Sequence, residues 1–191
     1  MLRIYLLSAT LVGLISGCSR LPPTAGSVGR PETSKQIQTR NNAASLLFDL
    51  LNDEKNVDKV LIVKSAGPEV TGLIKRLAAT AATHARELED LATNDPALNL
   101  GDTALPPGEK AARDATAKSK EHDLLFSTGA SFEFNLLLSQ VEAQNYGWHL
   151  ASVAAENSSR PEEVRTFKHI REAMEKLDAQ SVALLRSTPG R

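Results

Sequence analysis

PEVTGLIKRLAATAATHARELEDL, residues 68–91, carries the pattern that decides the fold. Apolar or small side chains fall at Val70, Ile74, Leu77, Ala81, Leu88 and Leu91, in steps of three, four or seven. That period lines one face of an α-helix and is the stripe of a helix packed in a bundle. Gly67 and Pro68 punctuate its start, proline being tolerated in the first turn, where its missing N–H is no loss. His84 lies on the same stripe, seven residues after Leu77 and four before Leu88.

The same period recurs on both sides. Leu47, Leu50, Val57 and Leu61 mark a first helix from about Asn41 to Lys64. A third long helix runs from about Ser131 to Asn157, with Phe134, Leu137, Val141, Trp148, Ala151 and Ala155 inward. The last opens at Ser159, whose hydroxyl and the Glu162 carboxylate have capping-box spacing, and continues through Phe167, Ile170, Met174, Leu177, Ser181 and Leu184. Between the second and third helices, Thr93 to Pro107 is a loop by its turn residues, Asp95-Pro96, Gly101-Asp102 and Pro106-Pro107. A shorter, more polar helix follows from about Gly108 to Phe126 and breaks near Thr128-Gly129. Aromatic residues make up only 4% of the chain, and no strand-like alternation or solenoid repeat opposes helix. The expected fold is therefore all-α, an antiparallel four-helix bundle with one extra short helix.

The N-terminal end has a different grammar. Arg3 supplies a positive charge, an apolar stretch runs from Ile4 to Ile15, and Ser16-Gly17 places two small residues before Cys18, the single cysteine of the chain. This is the layout of a secretory signal peptide, too short for a spanning helix, which needs about 20 apolar residues. Leu14-Ile15-Ser16-Gly17-Cys18 also resembles the lipobox of bacterial lipoproteins, which implies cleavage after Gly17 and lipid attachment to Cys18. A plain cleaved signal peptide is the alternative. With no second cysteine for a disulfide, a free thiol in an oxidising compartment would be an odd remnant. Ser19 resembles the default outer-membrane sorting residue, which places the expected anchor on the periplasmic face of the outer membrane in a diderm host. The organisation expected is a signal peptide over 1–17, a lipidated Cys18 with a Pro/Gly/Ser-rich tether to residue 37, a helical domain over 38–187 and a tail over 188–191. With 22 basic and 23 acidic residues intermixed, the chain lacks the clustered basic face that nucleic acid requires.

Three segments resemble DUF4142, a bacterial family of ferritin-like bundle proteins. Pro68-Glu69-Val70 with Ala82-Thr83-His84 is similar to its "PEV … DH" helix. Gly129-Ala130-Ser131-Phe132-Glu133, Leu136-Leu137 and Gln140-Val141-Glu142-Ala143-Gln144 look like its "G-x-x-F-D … QV-x-DH" stretch, and Pro161 to Phe167 is similar to "DPELKAF". The resemblance implies a ferritin-like four-helix fold, often secreted or lipid-anchored, whose inward histidines invite the idea of a metal site. The departures are specific. Thr83 replaces the acid before His84, Ala143 and Gln144 replace an acid-histidine pair, and Asp178 or Gln180 stands nearest the histidine of the last helix, while Glu54 matches an acidic position of the first. No Glu-x-x-His pair occurs in the long helices, although ferritin-like di-iron sites use two of them.

Two readings of these residues follow. In one, Glu54 and His84 are remnants of a transition-metal or redox site, facing Gln144 across the bundle. In the other, no cofactor is held: His84 is a core histidine hydrogen-bonded to Gln144, and Gln144 and Gln180 form a polar layer that fixes helix register. Asn145-Tyr146-Gly147-Trp148-His149 reads either as a partner-facing patch or as core filling by Trp148, with Gly147 admitting a neighbouring helix. His122 and His169 read as solvated. No nucleophile elbow or phosphate-cradling loop is present, so no enzymatic class is indicated. The function expected is a membrane-anchored lipoprotein with a non-catalytic bundle that engages the membrane through Cys18 and another envelope protein; the alternative is a metal-binding or redox bundle.

Overall fold

The computed structural model describes residues 32–188. Cys18, the signal-like segment and most of the tether lie outside the described residues. Six helices follow one another: α1 (Ser34–Glu54), a four-residue α2 (Val60–Val63) after a 3-10 turn at Val57–Lys59, α3 (Pro68–Asn94), α4 (Pro107–Phe126), α5 (Gly129–Glu156) and α6 (Pro161–Ser187). There is no strand among the described residues.

Four long helices form a closed ring. α1 packs on α3 and α5, and α6 closes it by packing on the same two. The first half of α1 meets the loop after α3 through Asn41 Nδ2, which donates to the Ala97 carbonyl at 3.0 Å, and Ser45 Oγ, which donates to the Asn99 carbonyl at 2.9 Å. The start of α3 meets the start of α5, where the Gly67 N–H donates to Glu133 Oε1 at 2.5 Å. Ring neighbours are therefore antiparallel and diagonal helices parallel. α4 stands outside the ring, packed on α5.

The stripe in residues 68–91 is realised closely: Val70, Ile74, Leu77, Ala81, His84, Leu88 and Leu91 are all buried. Along the bundle axis the core divides in two. One cluster joins Leu47, Leu51, Leu88, Leu91, Phe167, Ile170 and Met174, and the other Val70, Ile74, Leu77, Phe132, Leu136 and Leu137. Between them α5 turns Gln140, Gln144 and Gly147 inward. A Cβ at Gly147 would stand 2.1 Å from Met174 Cε and 2.9 Å from Leu50 Cδ2, so this glycine admits a close approach of α6 and α1.

Several local expectations need correction. The first helix begins at Ser34, inside the stretch read as tether, because Thr33 and Gln36 form a reciprocal capping box: Thr33 Oγ1 accepts from Gln36 N–H and Gln36 Oε1 accepts from Thr33 N–H. It also ends early, at Glu54, leaving Val57 in the 3-10 turn and Leu61 in α2. The Ser159–Glu162 capping box does not form. Arg160 occupies the N-cap with no side-chain bond, and the Ser159 N–H instead donates to Glu32 Oε1 at 2.6 Å. Phe134 is turned outward and Phe132 takes the inward place instead, while Leu137 is buried as expected, with Leu136 beside it.

Candidate functional site

His84 and Glu54, paired by sequence reasoning, sit in different neighbourhoods. His84 is 3% exposed. One turn on, at the i+3 position that shares its face, Glu87 places Oε2 2.8 Å from His84 Nδ1. From α6, the ring of His169 approaches edge-on, its centroid 5.3 Å from that of His84. One ligand atom from each of His84, Glu87 and His169 lies within 4.8 Å of the other two. A proton on Nδ1 donated to Glu87 leaves Nε2 as a lone pair, and Nε2 is buried with no hydrogen-bond partner. An unsatisfied buried polar atom costs about 1–3 kcal/mol. Glu87 and His169 also line a shallow pocket with Asp90 and Glu162, which opens the cluster to solvent. Two imidazoles, one carboxylate and an open side form the kind of donor set that suits zinc or copper.

The hydrogen bond expected between His84 and Gln144 is absent: Nδ1 is taken by Glu87 and Nε2 has no partner. Gln144 is buried on α5. Gln180 is half-buried and accepts from Arg76 at 3.4 Å, so it does not join Gln144 in a core layer. Asp178 keeps a buried, unpartnered Oδ1, and burial raises its carboxyl. His122 is exposed beside Phe126. His169 is exposed too, yet it belongs to the His84 cluster. Glu87 and His169 escaped sequence reasoning for different reasons. His84-Ala85-Arg86-Glu87 has the i, i+3 spacing in the reverse order from Glu-x-x-His. His169 flanks the inward Ile170 among charged residues, and a meeting across two helices leaves no trace in the spacing of either.

Glu54 ends α1 at a groove of about 1120 Å³ between α1–α2, α4 and α5. Burial lifts its carboxyl to about 7, with Asp53 adding to the shift and Gln140 and Lys120 opposing it. Glu54 Oε2 and Gln140 Oε1 are both buried without a partner. Tyr146 lines the same groove. Its hydroxyl accepts from the Arg113 guanidinium at 2.7 Å, and that guanidinium also lies over the ring. Trp148, two residues on, is half-buried at the edge of the core and stacks on His149 rather than filling the interior.

A third polar cluster closes the opposite end. Arg40, 1% exposed, donates to Glu32 and Glu163 carboxylates at 3.0 and 3.2 Å and to the Ala97 carbonyl at 2.9 Å. Arg160 pairs with Asp95 at 2.7 Å. Burial and a hydrogen bond with Asp95 push Glu163 up to about 7, against the pull of Arg40. Burial also works against ionisation of Asp95, but hydrogen bonds from Glu163 and the Ala97 N–H, with the charges of Arg160 and Arg40, hold its carboxyl below the ordinary value. One proton shared between Asp95 and Glu163 leaves the carboxylates of Glu32 and Asp95 facing the guanidiniums of Arg40 and Arg160, a balanced arrangement for a buried site. This is a clasp, tying α1, α6 and the loop after α3.

No protein-family model matches the sequence, and no curated protein matches it. A solved structure does: a DUF305 fragment from Deinococcus radiodurans superposes with a TM-score of 0.61 at 14% identity, over 82% of this chain and 99% of that fragment. At that identity the likeness shows a shared helical-bundle fold alone.

Proposed function

We propose that this chain is an envelope lipoprotein, held to the membrane through Cys18, whose bundle binds a divalent transition metal at His84, Glu87 and His169. The observation that carries the reading is the convergence of those three side chains on a His84 ring with a buried, unpartnered nitrogen. Glu87 has two roles open to it, as a direct ligand or as the carboxylate that fixes the imidazole tautomer, an arrangement usual around metal-bound histidine. The donor set favours holding an ion over redox cycling at a carboxylate-bridged pair, since no second carboxylate joins the three residues. Protein purified without chelators, dialysed against micromolar Zn(II) or Cu(II) and analysed for metal, should carry about one equivalent. His169→Ala should lose it, while Glu54→Gln should keep it. Wild type without bound metal, or His169→Ala with its full complement, would overturn the proposal.

A second reading, an interaction module for another envelope protein, is favoured by one observation. Ile62 and Phe126 are 82% and 74% exposed, beside Val63 and Leu125, where Lys64 ties the end of α2 to the Ser127 carbonyl. Crosslinking from Phe126 in native envelopes tests it, and a single discrete adduct is the expected result.

A further inference from the structure

The groove under α4 is a feature that metal binding does not use. Its walls are apolar where the helices meet, at Leu50, Val57, Val60, Leu124 and Leu136. α4 contributes no fully buried residue, so that helix covers the space without filling it. Its volume of about 1120 Å³ lies just above the range usual for small-molecule sites, roughly 300–1,000 Å³. Inside this wall Glu54 and Gln140 lie side by side, Gln140 favouring the ionised carboxylate, and the remaining oxygens, Glu54 Oε2 and Gln140 Oε1, have no partner. Gln140 is 2% exposed. None of the three bases at the rim bonds Glu54: Lys120 pairs with Glu142 and reaches Glu54 only through its charge, Arg113 pairs with Glu109 and Tyr146, and Lys59 is exposed.

We infer that the groove binds a small amphiphile with a cationic amine head and an apolar tail, the ammonium hydrogen-bonded to Glu54 and Gln140 and the tail lying along Leu50, Val60 and Leu124 beneath α4. An ammonium brings donors and no acceptor, which is what two orphaned acceptors require. An anionic head would meet Glu54 with like charge, and Asp53 beside it. A raised carboxyl pKa accords with a site that awaits a cation, since binding one returns the charge to Glu54. The inference is independent of the metal reading, because Glu54 and His84 share no partner.

Calorimetric titration of the full chain with decylamine, decanol and decanoate, each below its aggregation threshold, tests it. Decylamine should bind with one site and at least tenfold more tightly than decanol, and decanoate should be weakest. Glu54→Gln, near-isosteric and free of an unpaired charge, should bring decylamine to the affinity of decanol. Amide exchange in α4 should slow on binding decylamine in wild type. Equal affinity for the three heads, no binding of decylamine, or an unchanged preference in Glu54→Gln would each overturn the inference. Tighter binding of decanoate would reverse the assigned charge and overturn it as well.

Discussion

α3 and α4 begin alike, each with a proline in the first turn and an acid just after it. One runs through the core of the bundle and the other has no buried residue, only a part-buried Leu124 packed against the core. Ten side chains of α3 are buried, from Val70 to Leu91. α4 is held to α5 instead by polar ties at its edge, Arg113 to Tyr146 and Lys120 to Glu142. The difference teaches that helix formation and helix burial are separate achievements. α4 is helical from propensity and i, i+4 pairs such as Lys110–Asp114 and Glu109–Arg113, each worth a few tenths of a kcal/mol. α3 is helical because its stripe is the core.

The sharpest contrast comes from placing one charge in each. Leu77→Asp puts a carboxylate where the leucine is 1% exposed, with no cation to pair it, and should abolish cooperative folding by circular dichroism. Leu125→Asp, on the 45% exposed side of α4, should leave the urea midpoint within about 0.5 kcal/mol of wild type. Equal damage from both would mean that α4 is part of the core after all. Next in size is Arg40→Ala, which strips the clasp of its shared guanidinium and leaves the acids Glu32 and Glu163 without their common cation. Loss of one partner from a buried ion pair costs about 3–5 kcal/mol, so urea denaturation should show a loss of that order.

How much of this contrast is readable from sequence depends on which residues carry it. Val70, Ile74, Leu77, Leu88 and Leu91 announce α3, because burial against three neighbours demands a continuous apolar stripe. The polarity of residues 108–126 equally announces a helix apart from the core. Arg40 could not be read: a lone arginine on a helix is ordinarily solvated, and its partners are 8 and 123 residues away. Phe132 and Phe134 compete for one inward position, and only the approach of α3 and α6 chooses between them. The His84 cluster was half legible. Its histidine lies on the stripe, but its second and third members needed a reversed motif and a second helix.

A smaller effect is set by pH. Glu54 and Glu163 are both raised to about 7 in the folded protein by burial, Asp53 adding at Glu54 and Asp95 at Glu163. Each then contributes stability that is complete below the ordinary glutamate value and is lost as pH rises through 7. Asp95, shifted downward, acts in the opposite sense, its contribution fading only as pH falls below the ordinary aspartate range. The urea midpoint should therefore fall between about pH 5 and pH 8, and Glu54→Gln should remove part of that fall. A flat profile would show that both carboxyls ionise freely. Smallest of all, Lys120→Ala should change global stability by no more than about 1 kcal/mol, the usual limit for an exposed pair. It should still speed amide exchange in α4 and leave α3 unaffected, because the tie it cuts belongs to the outer helix alone.

Glu32 gives the clasp a mechanical meaning. Its carboxylate grips Arg40 on α1 and the Ser159 N–H at the start of α6 together. Tension arriving along the chain from residues before Glu32 is thus shared between two parallel helices at the moment it enters the domain. A pull entering there meets the starts of both helices, so α1 cannot be drawn from the bundle end without also breaking the tie to Ser159.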